Sequence, residues 1–166
     1  MKIYIVAFGK LKTPGLRETA DYYKKISRGW IESVEVELKP FPVSDKTPST
    51  RLTIQKKESE LLNKTIEKYL TPRGRLFLLD ECGEQLSTEK WIGLFEKTRN
   101  SSVSEIIFCI GSSLGLPKSK TLSAMVTGRL GLGFQTISHE LARVLLFEQV
   151  YRAFSVINGH PYHNAG

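Results

Sequence analysis

Ile106-Ile107-Phe108-Cys109-Ile110 is an unbroken apolar run that stops at Gly111-Ser112-Ser113-Leu114-Gly115. A strand without polar alternation has to be covered on both faces, which is the situation of a parallel strand inside an α/β sheet. Such sheets bind ligands beyond the carboxyl ends of their strands. A glycine-bearing turn at that place lets the backbone come close to a bound group. The residues after Ile110 are therefore the first candidate for a site. A second candidate end is the segment from Leu132 to Ile137, which leads into Ser138-His139.

The rest of the chain reads as support for these two ends. Lys2 to Phe8 is rich in β-branched and aromatic residues and predicts a first strand, and Leu16 to Ile26 predicts a helix. Val34, Val36 and Leu38 alternate with Glu35, Glu37 and Lys39, the pattern of an edge strand with one face in water. Three prolines make residues 40–49 a loop, and Arg51 to Leu70 follows as a helix whose charged face reads as solvated surface. Arg75 to Leu79 is a strand ending at Asp80-Glu81-Cys82-Gly83. Ser87 precedes a helix carrying Trp91, Leu94 and Phe95. After the strand Glu105–Ile110 come a short helix from Pro117 to Met125 and a last strand from Leu130 to Ile137. Ser138 caps the last helix, Glu140 sits in its first turn, and Asn158-Gly159 stops it. This alternation predicts an α/β fold, a mostly parallel sheet with helices on both faces, in a single domain over residues 1–166. No strand is followed by G-x-G-x-x-G, and neither a P-loop nor H-E-x-x-H is present.

The net charge of +7 favours a polyanionic partner, because neutralising phosphates releases counterions. Cys82 and Cys109 are too few and too far apart for a zinc site or a secreted disulfide framework. The first apolar stretch is too short for a signal peptide, and no run approaches the length of a membrane span. The expectation is a cytoplasmic protein with neither metal nor membrane partner.

Three C-terminal blocks are more specific. They are His139-Glu140-Leu141-Ala142-Arg143-Val144-Leu145, Glu148-Gln149-Val150-Tyr151-Arg152-Ala153 and His160-Pro161-Tyr162-His163. With Leu78-Leu79-Asp80 and Ile110-Gly111, they make the chain resemble the RlmH (YbeA) family over essentially its whole length. These are small SPOUT-class methyltransferases that act on the large ribosomal RNA. The resemblance implies a C-terminal trefoil knot, a homodimer, and S-adenosylmethionine as cofactor. It also implies methylation at N3 of a pseudouridine in 23S rRNA on the assembled ribosome. By position, it implies cofactor binding by Leu79, Gly111, Leu132, Gly133, Phe134, Gln135, Thr136 and Ile137. It places His139, Arg143, Tyr162 and His163 in the catalytic set, and Tyr151 and Arg152 against the substrate or the dimer partner.

The chemistry fits those residue types. An imide nitrogen becomes a stronger nucleophile on losing its proton, which His139 or His163 would accept, while Arg143 or Arg152 would hold an anion. Plainer readings stand beside these: Arg143 and Arg152 reach Glu140 or Glu148 on their own helix, and Tyr151 packs. The chain also departs from the family's pattern. Ser112 replaces the second glycine of Gly-Gly-x-x-Gly, a strained choice if that position needs positive φ. Ser138 stands in place of a proline, and Phe134 either narrows the pocket or points outward. Two rival readings are an RNA-binding homologue without catalysis, suggested by Ser112, and a SPOUT enzyme acting on another RNA such as tRNA.

Overall fold

The computed structural model describes residues 1–43, 45, 47–117 and 119–160. Its elements run β1 (Lys2–Phe8), α1 (Leu16–Ser27), β2 (Glu32–Leu38), α2 (Pro48–Tyr69), β3 (Arg75–Gln85), α3 (Thr88–Asn100), β4 (Glu105–Ile110), α4 (Lys120–Met125), β5 (Gly128–Gly131) and α5 (His139–Ile157). The strands form one sheet in the order β2-β1-β4-β3-β5, and every pairing is parallel. Expectation and structure agree on an α/β fold.

The pattern of each strand follows from its place in the sheet. β4 lies between β1 and β3, and all of its residues are buried, as its continuous apolar run requires. One face of the sheet joins Ile3, Ile5, Ile106 and Phe108 to α1, α3 and α5 through Ala20, Phe95, Phe147 and Phe154. The other joins Val6, Leu76, Leu78 and Ile107 to Leu62 and Ile66 of α2 and Leu122 of α4. Burying each such large side chain contributes about 1.5–3 kcal/mol, so α5 is fixed over the sheet mainly by its apolar face.

Several local expectations are refined. α2 starts at Pro48, inside the proline-rich stretch, because Thr47 caps it and proline suits the first helical turn. α4 is shorter than expected; Ser119 accepts from Leu122 N at 2.9 Å and sets its start. The last strand is a correction: β5 ends at Gly131, and Leu132 to Ile137 leave the sheet. The cause is Gly133, whose φ of 148° breaks the strand while its N–H is drawn to Gln85 Oε1 at 2.9 Å.

The charged side of β2 is corrected at one residue. β2 is an edge strand on which Glu32 and Glu37 are exposed, the latter as expected, but Glu35 is not. The Glu35 side chain is only 7% exposed and receives Arg143 at 3.1 Å and Arg17 at 2.8 Å. At Glu35 two arginines replace the expected solvent contact.

Candidate functional site

The carboxyl ends of β3 and β4 open onto a cleft of about 1100 Å³. Leu79, Ile110, Leu116, Leu132 and Ile137 supply apolar walls, and Asp80, Glu81, Gln135 and Thr136 add polar groups. Concave, largely apolar sites with a few placed polar groups are the usual form of a cofactor pocket.

Its backbone is tightly specified. A Cβ on Gly111 would lie 2.5 Å from the carbonyl carbon of Gly115 and 2.6 Å from Leu116 N, so only glycine fits. Gly115 N closes the turn by donating to Ser112 O at 2.9 Å. Ser112 itself is unstrained, since Ser102 is the only non-glycine with positive φ among the described residues. The expected strain is therefore absent. The Ser112 hydroxyl instead donates to Glu58 Oε2 at 2.8 Å and accepts from Leu114 N at 3.1 Å.

The opposite wall is made by β3 and the segment after β5. β3 carries an irregularity between Leu79 and Glu84, and Asp80, Glu81 and Cys82 within it line the cleft. Asp80 pairs with Arg129 at 2.8 Å, and Thr136 Oγ1 donates to Glu81 Oε2 at 2.5 Å. Gln85 receives Gly133 N and donates to Glu81 O and Gly83 O, tying the two segments together.

α5 enters at the cleft's rim. Ser138 accepts from Leu141 N at 3.2 Å, so the serine does cap the helix. His139 lines the cleft, with its Nε2 against Gly9 at the end of β1. Burial, then the nearby Arg143 charge, lower its pKa from the ordinary 6.5, against a smaller opposing effect of Glu140. Its ring therefore favours the neutral form able to accept a proton. Glu140 turns away from the cleft and accepts the N–H groups of Lys12 and Thr13 at 2.9 and 2.8 Å. The Thr13 amide is the first cause of its lowered pKa, ahead of the Lys12 amide.

The structure thus gathers Leu79, Gly111, Leu132, Gly133, Gln135, Thr136, Ile137 and His139 around one cleft. Phe134 is not among the lining residues; at 88% exposure it points outward. Arg143 does not face the cleft either. It is wholly buried, donating to Glu35, Glu37 and the carbonyl oxygens of Phe8 and Gly9, because it joins α5 to β1 and β2. Tyr151 is buried, its ring stacked on Trp30 at 5.8 Å and near Tyr23. Arg152 pairs with Glu148 one turn earlier on α5. Tyr162 and His163 lie outside the described residues. Sequence reasoning missed Gln55 and Glu58, which meet the 112–114 turn from α2. Their only signal was the serine where a glycine was expected.

Among the described residues, no group of His, Cys, Asp and Glu is arranged to hold a metal ion. No helix formed by these residues is long and apolar enough to cross a membrane.

Comparison with known proteins agrees with this geometry. The family described as "Predicted SPOUT methyltransferase" matches residues 1–163. The ribosomal RNA large subunit methyltransferase H of Ruminiclostridium cellulolyticum is 39% identical over 98% of this chain and 99% of its own. The protein of that name from Carboxydothermus hydrogenoformans is 35% identical, again over 98% and 99% of the two chains. A putative one from Methanococcus maripaludis is 34% identical over the same shares. With a match along nearly its whole length and a cleft at the carboxyl ends of β3 and β4, the chain belongs to the SPOUT methyltransferase family.

Proposed function

We propose that this chain transfers a methyl group from S-adenosylmethionine to N3 of a pseudouridine in 23S rRNA on the assembled ribosome. It does so as a cytoplasmic homodimer with the family's trefoil knot. The observation that carries the reading is the cleft itself, with His139 held at its rim beside the end of β1. The names of the relatives, which specify the large ribosomal RNA, support the substrate class.

The residues present fit the cofactor. Gly111 and the 132–137 segment bring backbone N–H and C=O groups to the cleft, and the aliphatic walls suit an adenine between them. When bound, the cofactor supplies a methyl group activated by a positive sulfur. Asp80 is already paired with Arg129, so Glu81 is the carboxylate on the cleft that favours a cation there. His139 accepts the N3 proton of the pseudouridine as that nitrogen's electron pair takes up the methyl group. In-line placement does most of the work, because no covalent enzyme intermediate is required. Tyr162 and His163 are proposed to meet the nucleotide, and Arg152 the substrate or the dimer partner, while Tyr151 packs beneath against Trp30. The basic excess of the chain suits a phosphate-rich partner.

The test is transfer of labelled methyl to intact ribosomes lacking the modification, with isolated subunits and tRNA in parallel. Label on 23S rRNA in ribosomes alone is the expected result. Label on tRNA would reassign the substrate. No label beside an active relative would leave a binding protein on this fold.

A further inference from the structure

Glu58 is a carboxylate buried to 1% exposure on α2, a helix whose charged residues otherwise face water. It accepts the Ser112 hydroxyl proton at 2.8 Å, and the same hydroxyl accepts Leu114 N at 3.1 Å. Three residues earlier on the same helix face, Gln55 Nε2 donates to Leu114 O at 3.3 Å. One turn of α2 therefore grips the loop that lines the cleft beyond β4. Burial pushes the Glu58 carboxyl up, and the Ser112 hydroxyl and the Phe41 amide oppose that rise.

We propose that Glu58 is a positioning residue for the cofactor site, fixing the Gly111–Gly115 turn through Ser112 in the shape that receives S-adenosylmethionine. This rests on the reading of the cleft given above. Glu58 and Ser112 depend on each other. A glycine at 112 would leave the buried carboxylate with the Phe41 amide alone, and losing a donor to a buried group of that kind is costly. Conversely, without Glu58 the hydroxyl no longer holds one rotamer, and the Leu114 amide loses its fixed acceptor. Gly111 has no spare room against Gly115 and Leu116, so the turn cannot relax without moving the cleft wall. A displacement there is felt first in ligand affinity, and to a smaller extent in the in-line placement of the methyl group.

The experiment measures S-adenosylmethionine binding by calorimetry on the full chain, for Glu58→Ala, Glu58→Gln, Ser112→Gly and the double variant Glu58→Ala/Ser112→Gly. Turnover at saturating cofactor and the melting temperature are followed alongside. Glu58→Ala is expected to weaken binding about tenfold, with turnover at saturation nearly unchanged, since a hydrogen bond to a charged group is lost. Glu58→Gln, which keeps the volume and one acceptor, recovers part of that loss and serves if the alanine variant does not fold. In the Ser112→Gly background the added Glu58→Ala change costs little, because the coupling is already broken. Equal losses in both backgrounds, or a lower melting temperature with unchanged affinity, would overturn the proposal while leaving the cofactor site standing. Failure of the unsubstituted chain to bind would overturn both.

Discussion

Arg143 donates to Glu35 at 3.1 Å from a position with no solvent exposure, spanning from α5 to the edge strand β2. The same guanidinium reaches Glu37 at 3.1 Å and Gly9 O at 2.7 Å, while its Nε is buried without a partner among the described residues. Glu37 in turn accepts Leu11 N at 3.1 Å. One side chain thereby fastens the 9–11 segment, against which His139 rests, to the last helix.

Replacing Arg143 by methionine is expected to destabilise the fold by about 1–3 kcal/mol, because Arg17 still holds one Glu35 oxygen while the other, with the Phe8 and Gly9 carbonyls, loses its buried donor. Arg143→Lys recovers little, since an ammonium cannot reach the two carboxylates and the carbonyls together. Urea unfolding checks this. An unchanged midpoint with lost methyl transfer would instead make Arg143 part of the chemistry.

How much of this was legible beforehand depended on whether the cause was local. β4 was readable because complete burial leaves a continuous apolar run, and Ser138 because capping is a property of one turn. The segment from Leu132 to Ile137 lines the cleft except at Phe134, and it is not the strand its apolar residues predict, since β5 ends at Gly131. Its conformation is set by Gln85, far away in sequence. Glu37 is exposed as the alternation predicts, but Glu35 is not, because alternation does not reveal that α1 and α5 bring arginines over that residue. Gln55 and Glu58 were hidden for the same reason: a charged helix face looks alike whether it meets water or a serine hydroxyl.

Gly111→Ala tests how rigid the cleft is. The added methyl would meet Gly115 and Leu116 backbone at 2.5–2.6 Å, which no side-chain rotation relieves. Overpacking of this kind costs about 1–3 kcal/mol, and the shift it forces falls on the cleft wall. Binding of S-adenosylmethionine should fall at least about tenfold, by the same energy scale. Calorimetry on the folded variant reads it, and unaltered affinity would mean the turn yields without touching the ligand.

Glu140 gives a pH signature of the loop after β1. Its folded pKa is lowered by the Thr13 and Lys12 amides, so it adds stability above its unfolded pKa of about 4.3 and loses it as pH falls through the lower folded value. Glu140→Gln should therefore melt below the parent at neutral pH, and the gap should close in acid. The site is exposed and the difference small. Melting curves from pH 7 downward decide it; a gap constant with pH would show that charge plays no part.

His139 gives the corresponding signature in catalysis. Burial and the neighbouring Arg143 charge hold its pKa below the ordinary 6.5, so the neutral, proton-accepting form persists into mildly acidic solution. As the pH falls through that lowered value the imidazolium forms and the acceptor is lost. The rate of methyl transfer at saturating cofactor should accordingly fall on the acid side with a midpoint below 6.5. Since the folded state binds this proton less readily than the unfolded chain, the same titration also removes stability below that pH. His139→Asn should abolish the acid limb and lower the rate by about 10²–10⁴, the usual contribution of a general base. Its affinity for S-adenosylmethionine should change far less, because the imidazole sits at the rim beside Gly9. An acid limb that survives the substitution at the same midpoint would assign the proton to another group.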